Sequence, residues 1–120
     1  MTEDIQFIDA TELAGLIRAK TLSPVELLNA CLDRIDAINP KLNAVVTLVD
    51  NALDRARHAE SAVMRGESLG PLHGVPFTVK DCINTAGIRT TGGSLIFKDY
   101  VPERNATVVE RLTAAGGVMM

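Results

Sequence analysis

The sequence predicts an α/β fold, with helices layered against the first strands of a sheet. Three observations carry this. Several segments repeat apolar residues at helical spacing, short β-branched runs fall between them, and in the second half strand and helix alternate.

The elements follow in order. In DATELAGLIRAK, Asp9 stands three residues before Glu12, a capping-box spacing, and Leu13, Leu16 and Ile17 share one face. A short first helix is expected. In LSPVELLNACLDRIDAINP, Ser23 is placed to cap, Pro24 suits the first helical position, and Glu26 is placed to reach back to the Ser23 amide. Leu27, Leu28, Cys31, Leu32, Ile35 and Ile38 line one face of this second helix, and Pro40 is expected to end it because it disfavours a helical Asn39. NAVVTLVD then reads as a strand, and DNALDRARHAESAVMRGE as a third helix closed by Gly66. GVPFTVK reads as a second strand, with Pro76 at its start or on an open edge because proline has no amide proton to donate. NATVVERLTAAGG is the last helix, with Asn105 as its cap and Gly116 as its terminator. VMM, which follows, stands where a buried strand would begin, but it is shorter than the usual five or six residues or so. The 120 residues are therefore expected to form the N-terminal part of one domain, with the ending a cut.

Composition narrows the function. The chain is 47% hydrophobic with a net charge of −3, and its Lys and Arg are scattered singly, so nothing marks a surface for the phosphates of a nucleic acid. The acidic start MTEDIQFIDA lacks a signal peptide's basic and apolar regions, and no run approaches membrane-span length. A cytoplasmic protein with no direct nucleic-acid or membrane partner is expected. Two cysteines, Cys31 and Cys82, and two histidines, His58 and His73, offer neither a disulfide framework nor a metal cluster, so no metal or cofactor is expected.

The chemistry concentrates in GPLHGVPFTVKDCINTAGIRTTGGS. Strand alternation puts Val75, Phe77 and Val79 on one face, and Pro76, Thr78 and Lys80 on the other. Lys80 then stands at the carboxyl end of the strand, where open α/β sheets bind ligands, with Asp81 sent to the opposite face. A lysine acts as a base near neutral pH only if its pKa falls by about three units, roughly 4 kcal/mol of desolvation, and an adjacent carboxylate would oppose this. On the residues alone, Lys80 is a solvated lysine at a strand end. Ser94 is a turn-capping residue, since GSLIF puts Ile96 where a nucleophile elbow requires glycine. Cys82 has no identifiable base, His73 belongs to a turn, and His58 lies on the surface. The run Thr90, Thr91, Gly92 lacks the G-K-[ST] ending of a phosphate cradle.

The same passage, with LSPVELLNACLDRIDAINPKLNAVVTL before it and VPERNATVVERLTAAGG after it, resembles the N-terminal portion of the amidase signature family. The resemblance runs from about residue 9 onward, in the family's order of elements. It implies a large mixed sheet flanked by helices, and hydrolysis of small-molecule carboxylic amides by a Ser, cis-Ser, Lys triad. It places Lys80 on the family's catalytic lysine, with no cofactor. The family's two serines lie in a glycine- and serine-rich signature downstream, and no part of that signature occurs here, so this chain is expected to be inactive alone. A stand-alone bacterial-type amidase is the preferred member, and a homodimer of the full-length protein is one arrangement it allows. The glutaminase subunit of a tRNA-dependent amidotransferase is the alternative, and a non-catalytic interaction module a further one.

Overall fold

A computed structural model describes residues 4–120. Four helices precede and flank a two-stranded parallel sheet: α1 (Ala10–Arg18), α2 (Pro24–Leu42), α3 (Ala52–Met64), β1 (Pro76–Phe77), α4 (Thr107–Ala114) and β2 (Val118–Met119). Short 3-10 turns stand at Ile5–Phe7 and Leu95–Phe97.

Local chemistry sets the helix starts. The Asp9 carboxylate accepts from the Glu12 amide at 2.9 Å, as the spacing predicts. The Ser23 hydroxyl oxygen accepts from the amides of Val25 and Glu26 at 3.0 and 3.2 Å. The carboxylate that meets Ser23 is Glu60 of α3, not Glu26, so this cap also joins two helices.

Three expectations are corrected. Pro40 does not end α2, which runs on to Leu42 and stops where Asn43 turns left-handed at φ 50°. The Asn39 carboxamide makes this ending: its oxygen accepts from the Ala44 and Val45 amides, both at 2.9 Å, and its nitrogen donates to the Val45 carbonyl at 2.8 Å. Residues 43–50, the predicted strand, run without a sheet partner. Their backbone groups are held partly by side chains, from Asn39 at Ala44 and Val45 and from Arg89 at Val46, while Val45, Thr47 and Val49 keep the half-buried phase of a strand. Asn105 does not cap α4. The cap is Ala106, without a side-chain bond, and the Asn105 carboxamide oxygen instead accepts from the Ala86 amide at 2.7 Å.

The core has two parts, divided by α2. Leu27 packs with Leu13, Ile17, Leu22, Val63 and Val75. Its neighbour Leu28 packs with Ala52, Ala56 and Ala59 of α3 and with Val118 of β2. Burying a leucine in this way contributes about 1.5–3 kcal/mol, and the alanine face of α3 lets α2 approach closely enough to achieve it.

The sheet is short because few rungs exist, with Pro76 opposite Val118 and Phe77 opposite Met119. Val118 donates to the Val75 carbonyl at 2.9 Å and Met120 to the Phe77 carbonyl at 3.2 Å, which is the last rung. Pro76 stands first in its strand, as its missing amide proton requires. Before it, Leu72 donates to Ala115 and Gly74 to Gly116, both at 2.9 Å. Gly116, at φ +92°, ends α4 as expected, and a β-carbon there would lie 2.8 Å from the His73 α-carbon.

Candidate active site

The chain leaves the sheet at Phe77, so Lys80 stands three residues past β1 and not on its last rung. Its side chain is exposed. It opens onto a cleft of about 490 Å³ walled by residues 44–49, by the chain following β1, by the loop that ends at Thr90, and by Met119 and Met120. Most of that wall is aliphatic, including Val45, Val49, Val79, Ile83 and Ile88. Lys80 is the one lysine in the lining.

Its carboxylate neighbour is engaged elsewhere. Asp81 accepts from the Thr91 amide at 2.9 Å, from the Thr91 hydroxyl, and from the Gly93 amide at 3.4 Å. Its own carbonyl accepts from the Gly92 amide at 2.9 Å. The Thr91 hydroxyl and then the Thr91 amide hold the Asp81 carboxyl below the usual aspartate range, with smaller help from the Gly93 amide and the Arg89 charge, against an opposing desolvation. The ion pairs among the described residues join Arg57 to Asp54, Arg65 to Glu67 and Lys98 to Asp99, and none involves Lys80. Among the described residues no ion pair ties Lys80 to Asp81, although both line the cleft and the strand whose alternation is expected to part them ends at Phe77.

A second clamp has no counterpart among the sequence expectations. Arg89 donates through Nη1 to the Lys98 carbonyl at 3.0 Å and through Nη2 to the Val46 carbonyl at 3.1 Å, tying two walls of the cleft together. No local pattern marks such a residue, because its Val46 partner lies in a segment far away in sequence.

The other candidates fall where the residues alone put them. Ser94 caps the Leu95–Phe97 turn, accepting from the Ile96 amide at 3.2 Å. Cys82 is exposed, and neither it nor Ser94 lines the cleft. His58 is exposed on α3. His73 bonds the Ala59 carbonyl through Nε2 at 2.8 Å, and because a carbonyl only accepts, that nitrogen carries the proton. Among the described residues no three His, Cys, Asp or Glu gather as a metal site would require. The arrangement offers one unpaired amine beside an aliphatic cleft.

The sequence pattern of the family described as Amidase matches residues 26–120. The chain belongs to the amidase signature family. It is 45% identical over 116 residues to a glutamyl-tRNA(Gln) amidotransferase subunit of Carboxydothermus hydrogenoformans, covering 96% of this chain and 24% of that protein. It is 40% identical over 126 aligned residues to the acylamidase of Rhodococcus erythropolis, covering all of this chain and 26% of the acylamidase. Among solved structures, the native peptide amidase from Stenotrophomonas maltophilia matches with a TM-score of 0.88 at 36% identity, over 95% of this chain and 24% of its own. The chain thus spans about a quarter of the length of these amidase-family relatives. Its α/β architecture of four helices and a short parallel sheet is that of amidase signature enzymes. No helix among the described residues is long and apolar enough to cross a membrane.

Proposed function

We propose that this chain is the lysine-bearing part of a cytoplasmic amidase that hydrolyses small carboxylic amides, with Lys80 as the base. The observation that supports this best is the placement of Lys80, unpaired at the mouth of an aliphatic cleft just past β1, in a chain of the amidase family. In the reaction, the neutral Lys80 amine takes the proton of a bridging serine, which takes that of the nucleophilic serine. The nucleophile attacks the amide carbonyl, the protonated amine departs, and water releases the acid. Both serines would come from sequence outside these 120 residues, so the chain alone does not turn over amides.

The test compares the 120-residue chain with an extended chain, in which a downstream amidase signature segment follows it. The extended chain should release ammonia from simple amides, Lys80→Ala should lower its kcat about 10³-fold or more, and the short chain should be inert. Turnover by the short chain that Lys80→Ala abolishes would refute the inactivity claim.

A second reading, the glutaminase subunit of a tRNA-dependent amidotransferase, is favoured by the names of several relatives at 42–45% identity. It expects a preference for glutamine and a fixed partner protein. Hydrolysis of simple amides by an extended chain without a partner favours the stand-alone enzyme.

A further inference from the structure

Lys80 and Asp81 are consecutive, yet only the second is tied down through its side chain. The Asp81 carboxylate gathers two backbone amides and a hydroxyl from one turn, in which Gly92 and Gly93 both have positive φ. Thr91, the centre of that set, is buried, with 9% of its surface exposed, so its amide and hydroxyl donors depend on this acceptor. The backbone is held as firmly. The Lys80 carbonyl accepts from Ile83 and the Asp81 carbonyl from Gly92, each at 2.9 Å, so the two successive peptides that follow the Lys80 α-carbon are each fastened through their carbonyl. The direction in which the Lys80 side chain leaves the backbone is then set by contacts that never touch its amine.

We propose that Asp81 is a positioning residue for Lys80, aiming the lysine into the cleft by locking residues 91–93 to the chain that follows β1. The inference rests on the reading of Lys80 as the base. It explains why a carboxylate beside a base does no harm. Its charge is spent on the turn and not on the lysine, which an ion pair would keep protonated.

The test measures kcat, KM and melting temperature in the extended chain for Asp81→Asn, Thr91→Val, their combination and Thr91→Ser, with Lys80→Ala alongside. Asn keeps one acceptor but places a donor where the second oxygen stood, and Val removes the hydroxyl. Each should lower kcat about 10- to 100-fold while KM stays within about twofold and the melting temperature is little changed, since misplacing a reacting group costs rate more than binding. The combination should be no worse than either alone, because the two groups act as one unit. Thr91→Ser retains the hydroxyl and should keep kcat within about threefold. If Asp81→Asn does not fold, the contrast between Thr91→Val and Thr91→Ser decides alone.

The proposal is overturned if these variants turn over normally while Lys80→Ala is inert. It is also overturned if kcat, KM and melting temperature deteriorate together, which marks a merely structural bond. Full activity in Lys80→Ala sinks the reading of Lys80 and this inference with it, and that outcome is read from Lys80→Ala alone.

Discussion

The two thiols show how placement alone separates residues of one type. Cys82 is exposed, whereas Cys31 is half-buried on α2 against the first core cluster, and burial pushes its thiol up from the ordinary value. The thiolate is the reactive form, so at mildly alkaline pH Cys31 carries less of it and is also harder to reach. Iodoacetamide followed by mass spectrometry should therefore modify Cys82 first, and equal rates would contradict this packing. In the extended chain, alkylated Cys82 should leave amide hydrolysis unchanged, which disposes of a cysteine-based reaction. At this scale part is legible in the sequence: VPFTVKD marks Lys80 as a polar residue just past a strand, but its alternation does not part Lys80 from Asp81, since the strand ends at Phe77 and both residues line the cleft. The partners of Asp81 are not legible, because Thr91 and Gly93 meet it across a loop whose path no local pattern fixes.

Elements that announce themselves by their own chemistry are readable in the sequence, and those ended by a distant or unusual side chain are not. Asp9 and Ser23 cap as their spacing predicts, because a cap is satisfied within three residues. Pro40 misleads because proline's steric rule speaks only of the backbone, while the Asn39 carboxamide supplies three bonds that stabilise a helical residue before it. Asn39→Ala should remove them and lower stability by about 1–2 kcal/mol, read as a shifted denaturation midpoint with an unchanged slope. It should also loosen residues 44–49, visible as faster amide exchange at Ala44 and Val45. An unchanged midpoint would mean that Pro40 is accommodated without Asn39. The apolar run of NAVVTLVD keeps its alternation but finds no neighbouring strand. Pairing is a property of the sheet and not of the segment.

At the scale of the molecule, several large apolar side chains among the described residues stand exposed. Leu95 and Ile96 are each 87% exposed, and Phe97, Tyr100 and Val101, close by in sequence, are exposed as well. Phe97 and Tyr100 meet edge-on with their ring centres 6.0 Å apart. The isolated chain should associate with itself, and Leu95→Lys with Ile96→Glu should shift its sedimentation toward the monomer. A parent chain that stays monomeric and melts cooperatively would favour the interaction-module reading over the amidase one. The α/β class and the order of helices are legible because hydrophobic period is repeated in every helix. The extent of the sheet is not, since β1 can be only as long as the partner that reaches it.

That pairing also has a timetable. β1 finds its partner in Val118 and Met119, and the loop carrying Lys80 is tied to residues as late as Asn105 and Ala106. During synthesis α1, α2 and α3 emerge with their mutual partners already made, whereas the strand before Lys80 must wait for almost the last residue of this stretch. A ribosome that stalled before Val118 would hold a helical nascent chain whose lysine had not yet been given its place.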